Sequence, residues 1–167
     1  MQRTYSGRVQ ARRESVLGFE SAGRLARVRL DEGATVARGE LIAELDTERL
    51  QARRADLDAA RAEAEARLAL ANATLKRMRG IVEQGGVSRQ GLDEVREDQR
   101  AAAAAVRLAE SRIASIEVEL AKARLYAPFS GTVIARLADE GRVLDAGQPI
   151  VSLQENVLPE IRIGIAG

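Results

Sequence analysis

Gly23-Arg-Leu-Ala-Arg-Val-Arg-Leu-Asp-Glu-Gly33 returns 108 residues later, in altered form, as Gly131-Thr-Val-Ile-Ala-Arg-Leu-Ala-Asp-Glu-Gly141. At that one offset Gly23 falls on Gly131, Asp31 on Asp139, Glu32 on Glu140, Gly33 on Gly141, Gly39 on Gly147, Ile42 on Ile150 and Leu45 on Leu153. Each copy reads as a short strand, an Asp-Glu-Gly turn, a second glycine turn and then an alternating strand. Glycine suits turns that need positive φ. The competing reading, two unrelated β-hairpins that happen to look alike, must account for seven matches at a single shift. Two half-barrel units can close on each other as a small flattened sandwich, each burying what the other cannot cover alone. Strands at Thr4–Val9 and Ser15–Phe19 are expected to add to it, with the alternation breaking at Ala11-Arg12-Arg13-Glu14.

Between the two copies the period changes. Asp46-Thr47 offers an N-cap oxygen, and Glu48 follows in the first turn, where the helix dipole favours negative charge. Seven-residue rows then run through Leu50, Leu57, Ala64, Ala71 and Met78, and through Arg54, Arg61, Leu68, Leu75 and Val82. Gln84-Gly85-Gly86 supplies a glycine stop. Ser88 can cap a second helix, whose rows are Leu92, Gln99, Val106, Ile113, Leu120 and Val95, Ala102, Ala109, Ile116, Ala123. Tyr126-Ala127-Pro128 is expected to end it, because the residue before proline is pushed out of α space. Two heptad runs joined by a short turn predict an antiparallel coiled-coil hairpin about 55 Å long, at ~1.5 Å per residue. A coiled coil between two chains is the alternative. Arg54 and Arg61 are expected to weaken the seam, their stems lying on apolar surface while their heads reach water.

Composition narrows the function. The chain has 167 residues and a net charge of +1, without the cationic surplus that nucleic acid requires. It has no histidine and no cysteine, which excludes Ser-His-Asp and Cys-His catalysis, thiolate or imidazole zinc sites, and disulfides. Aromatic residues are 2%, too few for stacking on bases or sugars. No enzyme, cofactor or metal is expected. Asp31-Glu32 and Asp139-Glu140 read as solvated turn residues rather than as acid–base or cation-binding pairs, because nothing apolar encloses them. Gly85-Gly86 is no phosphate loop, since no Gly-Lys-Ser/Thr follows. Lys76-Arg77-Met78-Arg79 is a cationic cluster too small to track a nucleic-acid backbone. No apolar run reaches 18 residues, so no membrane-spanning helix is expected. The period-two stretch Glu160–Ile165 reads as a strand just beginning, as in a piece of a longer protein.

A half-motif repeated around an inserted helical hairpin resembles the lipoyl-like domain of membrane fusion proteins, the periplasmic adaptor subunits of tripartite efflux and export systems. The resemblance lies in Glu20-Ser-Ala-Gly-Arg-Leu25 through Glu44-Leu-Asp46, and in Leu125-Tyr-Ala-Pro-Phe-Ser-Gly-Thr-Val133 through Val151-Ser-Leu153. Ala127-Pro-Phe-Ser-Gly131 is its most specific part. It implies an α+β fold: a lipoyl-like barrel-sandwich hybrid of two half-motifs, interrupted by a long antiparallel coiled-coil hairpin, with the start of a β-barrel domain. The implied boundaries are 1–46 for the first half, 47–125 for the hairpin, 126–155 for the second half and 156–167 for the first barrel strand.

True lipoyl and biotinyl carriers share the half-motif, but they need a lysine on the turn joining the halves. Here that junction is Glu44-Leu45-Asp46-Thr47-Glu48, and the chain's two lysines, Lys76 and Lys122, lie elsewhere. In adaptors that serve resistance-nodulation-division (RND) transporters, the hairpin tip has an arginine, a leucine four residues on and a serine seven beyond. Arg77, Ile81 and Ser88 have that spacing, with isoleucine in the leucine's place. The resemblance therefore implies that Arg77, Ile81 and Ser88 contact an outer-membrane channel protein. It also implies an inner-membrane RND transporter as partner, self-association into a ring or funnel, and a place in the periplasm at the inner membrane. An adaptor of an ATP-driven exporter or type I secretion system is the nearest alternative. Each tip residue also has a plainer reading: Ser88 as helix cap, Ile81 as flank of the seam, Arg77 and Arg79 as solvated charge.

Overall fold

A computed structural model describes residues 7–9, 13–86, 89–156 and 161–163. Its elements are β1 (Gly7–Val9), β2 (Glu14–Gly18), β3 (Gly23–Val28), β4 (Thr35–Val36), β5 (Leu41–Leu45), α1 (Glu48–Glu83), α2 (Arg89–Lys122), β6 (Arg124–Tyr126), β7 (Gly131–Arg136), β8 (Val143–Leu144), β9 (Pro149–Glu155) and β10 (Ile161–Ile163). The chain divides into two compact units: a β unit on either side of the insertion, and a helical unit over Thr47–Ala121.

The β unit holds two four-stranded antiparallel sheets, ordered β2-β9-β7-β4 and β6-β5-β3-β8. Shifting every strand of one sheet by one half-motif generates the other. In each sheet the two central strands come from one half and the two edge strands from the other. The exchange is exact in register: Thr35 pairs with Thr132 and Val36 with Gly131, while Arg24 pairs with Val143 and Gly23 with Leu144. The cross-links repeat at the same offset. Gly33 N–H donates to the Val133 carbonyl at 2.8 Å, and Gly141 N–H to the Leu25 carbonyl at 2.7 Å. Gly33, Gly39, Gly141 and Gly147 all hold φ between 77° and 84°, as the paired glycine turns require.

Two expectations are corrected here. The repeat begins earlier than Gly23: Gly147 N–H bonds the Phe19 carbonyl just as Gly39 N–H bonds the Ala127 carbonyl, so β2 and β6 correspond. The second helix accordingly ends at Lys122, not at Tyr126-Ala127-Pro128, because Arg124–Tyr126 is already committed to pairing with β5. Of the expected strand at Thr4–Val9, residues 4–6 lie outside the described residues. Gly7–Val9 pairs with β10 in a two-stranded ladder separate from both large sheets. Residues 157–160 and 164–167 of the expected barrel strand also lie outside the described residues.

Between the sheets sits one core, which includes Phe19, Leu25, Val36, Ile42, Val133, Leu144, Ile150, Val151 and Leu153. The glutamates of the two Asp-Glu-Gly turns are more than solvated turn residues. Glu140 Oε1 accepts the Val28 N–H at 2.8 Å, and Glu32 Oε1 accepts the Arg136 N–H at 3.0 Å. Each half thus caps a strand end of the other with a charge-assisted bond. Asp31 and Asp139 stay almost fully exposed, within 4 Å of the Arg136 guanidinium. Glu140→Ala should therefore cost about 1–2 kcal/mol in chemical denaturation by orphaning the Val28 amide, whereas Asp139→Ala should stay within about 0.5 kcal/mol.

In the helical unit α1 has 36 residues and α2 has 34, so α1 is about 54 Å long at ~1.5 Å per residue. The helices pair within one chain. Gln99 Nε2 donates to Asn72 Oδ1 at 3.0 Å, and Arg54 Nη2 reaches Glu117 Oε1 at 3.2 Å. The heptad rows form the seam: Ala64, Leu75, Leu92, Ala109, Ile113 and Ile116 are buried, and Leu57, Leu68, Met78 and Val106 are half-buried. Arg54 and Arg61 lie exposed and take carboxylate partners, Arg54 with Asp58 and Glu117, Arg61 with Glu65. The Thr47 hydroxyl makes no cap bond to the helix backbone; it accepts from Gln51 Nε2 at 2.9 Å. Among the described residues, no helix is long and apolar enough to cross a membrane.

Candidate functional site

The last turn of α1 is built by its glycines. Gly85 N–H donates to the Val82 carbonyl at 3.0 Å, and Gly86 N–H donates to the Ile81 carbonyl at 3.0 Å. That is a Schellman stop, with Gly85 in the left-handed region at φ 80°. An L-residue there would cost roughly 1–2 kcal/mol. Gly86 has a second role that spacing alone does not show. A Cβ at position 86 would lie 2.8 Å from Ile81 Cγ2, so the bare chain is what lets the turn close over this side chain. Isoleucine is stiff at χ1 and cannot swing aside cheaply.

Ile81 itself is 45% exposed, and other large aliphatic residues of the hairpin, such as Leu70 and Leu108, are exposed too. Its neighbour Val82 is half-buried in the seam, so Ile81 stands off the seam rather than flanking it. Arg77 lies one helical turn earlier, on the face Ile81 shares at i, i+4 spacing. Its Nη2 donates to Thr74 Oγ1 at 3.1 Å, a bond to its own helix that leaves most of the guanidinium's donors to the solvent side. Ser88, the third expected member, lies outside the described residues. The structure thus brings Arg77 and Ile81 together, and its description resumes at Arg89 with α2.

Charge accumulates around them. Residues 76–89 contain four cations, Lys76, Arg77, Arg79 and Arg89, against one carboxylate, Glu83, a net +3 in a chain of net +1. All four are exposed, and among the described residues none forms an ion pair. Away from the tip many arginines of the hairpin do: Arg61 with Glu65, Arg67 with Glu63, Arg96 with Asp93 and Arg100 with Glu97. Four uncompensated cations beside one exposed isoleucine can bind carboxylates or backbone carbonyls and add apolar contact.

Gly80 is the residue that reading by spacing misses. It sits inside α1, where glycine costs the helix about 1 kcal/mol relative to alanine. A Cβ added there would meet nothing within 4 Å, so no contact among the described residues calls for its absence. The available signal was a lone glycine four residues before a helix stop that already has two.

A family model described as "RND MFP, alpha-helical hairpin domain" matches residues 53–123. The multidrug resistance protein MdtA of Xenorhabdus bovienii (strain SS-2004) is 30% identical over 141 residues, which is 84% of this chain and 34% of that protein. The multidrug export protein AcrE of Escherichia coli (strain K12) is 30% identical over 142 residues, 85% of this chain and 37% of that one. Among solved structures, the membrane fusion protein Spr0693 from Streptococcus pneumoniae R6 has the same fold, with a TM-score of 0.71 at 17% identity over 90% of this chain and 62% of that chain. The chain spans about a third of the length of the curated relatives it matches. With residues 53–123 matched as the hairpin domain of that family and relatives 30% identical over more than four fifths of its length, the chain belongs to the membrane fusion proteins.

Proposed function

We propose that the chain is the lipoyl-like and hairpin portion of a periplasmic adaptor that joins an inner-membrane RND transporter to an outer-membrane channel. In this reading the protein is not an enzyme. It acts by geometry, with several copies assembling into a ring or funnel and residues 156–167 leading into a β-barrel domain. The hairpin tip contacts the channel through Arg77, Ile81 and Ser88. The observation that supports this best is the exposure of Ile81 beside an arginine without a carboxylate partner, at the end of a hairpin matched as a membrane fusion domain. An exposed apolar side chain with cations near it along the helix is what a polar-rimmed contact presents before its partner arrives.

Photo-crosslinking in cells tests the reading. A benzophenone residue at Ile81 should crosslink to an outer-membrane channel protein, and one at Leu108, also exposed but far from the tip in sequence, should not. No channel adduct from position 81 would refute the tip contact. Recovery of the transporter with the same protein decides between an RND partner and an ATP-driven exporter.

A further inference from the structure

We propose that Gly80 is a close-approach point, where the carbonyl-bearing end of a partner helix seats its backbone directly against α1. This rests on the tip reading above and adds its partner chemistry. At 100° per residue, Arg77, Gly80, Ile81 and Gln84 fall on one face of α1, opposite the seam residues Leu75, Met78 and Val82. Along that face the structure provides a cation, then bare backbone, then an exposed isoleucine held in place by the closing turn at Gly86.

Glycine here weakens the helix and relieves no clash among the described residues. A surface without Cβ is useful to a neighbour whose own backbone must come within van der Waals reach. Packing through small residues brings helices closest together. The charge selects the occupant. Three cations, Lys76, Arg77 and Arg79, lie within four residues of Gly80 on α1 with no ion pair among the described residues, and the C-terminal end of an α-helix offers unpaired carbonyls and the negative end of its dipole. Arg77, three residues before Gly80, is placed to bond those carbonyls once the partner backbone rests on the glycine.

The test uses a substitution whose effects on folding and docking have opposite signs. Gly80→Ala should raise the melting temperature by about 2–4 °C, because alanine is the better helix former. The same methyl should weaken binding of the full-length protein to its purified outer-membrane channel by about tenfold, mostly through faster dissociation. Gly80→Gln, a good helix former with a longer side chain, should weaken it by about a hundredfold or more. Unchanged or tighter binding in both variants, alongside a clear loss in Arg77→Asp, would overturn the close approach and leave the tip contact standing. If Arg77→Asp also binds like wild type, or the wild-type protein does not bind the channel, the tip reading and this inference fall together.

Discussion

Alanine at Ile42 or at Ile150 should destabilise the β unit by about 3 kcal/mol, and by nearly the same amount at either position. Both side chains are 0% exposed in one core and occupy equivalent places 108 residues apart. Removing three carbons from a packed site loses their transfer energy and leaves a cavity, and the range for such changes is about 2–5 kcal/mol. The equivalence is the sharper part of the expectation, since the surrounding strands exchange symmetrically. Hydrogen exchange of peptides from β5 and β9 reads the β unit separately from the hairpin. Protection in both strands should fall together in either variant. A cost at one position more than about 2 kcal/mol above the other exceeds the spread that local relaxation allows and would break the equivalence. The double variant should leave the β unit largely unfolded at 37 °C, because domains of this size hold only about 5–15 kcal/mol in total.

On the proposed adaptor function, Arg77→Asp should abolish export by the full-length protein while leaving its fold intact. Arg77 is exposed, and its one side-chain bond reaches Thr74 on the same helix, so its replacement should change stability by no more than about 0.5 kcal/mol. The same change removes a planar, multi-donor cation and puts a carboxylate where partner carbonyls would lie, turning attraction into repulsion. Drug resistance of a strain that depends on this protein should fall to that of the deletion strain, with protein level and helical circular dichroism as in wild type. Arg77→Lys should give an intermediate phenotype, since it keeps the charge but loses the fork geometry. Wild-type resistance in Arg77→Asp would falsify the tip's role.

That Arg77 and Ile81 share a helix face was legible in the sequence for a physical reason. Arg77 and Ile81 are a helical turn apart on a continuous helix, and that spacing alone puts them on one face. Gly80 escaped notice because a glycine matters there through what is absent around it, which only coordinates reveal. Gly86 was visible as a helix stop, but its seat against Ile81 is a contact across the turn that the stop pattern does not encode.

The chain's own letters determine the repeat, the change from period two to seven and back, and the two heptad helices with a glycine stop between them. These are local matters: turn glycines, heptad rows and a glycine stop act on neighbouring residues, and their signals survive without long-range information. Tertiary structure alone decided that each half lends its edge strands to the other's sheet. Backbone pairing across roughly a hundred residues leaves no mark on side-chain periodicity, and a swapped and an unswapped sheet bury the same faces. The same long-range pairing decided that the second helix stops at Lys122, where β6 is claimed by β5, and that Glu32 and Glu140 hold opposite halves together. A turn glutamate looks alike in sequence whether it faces water or a partner strand's amide, and only the fold supplies that amide.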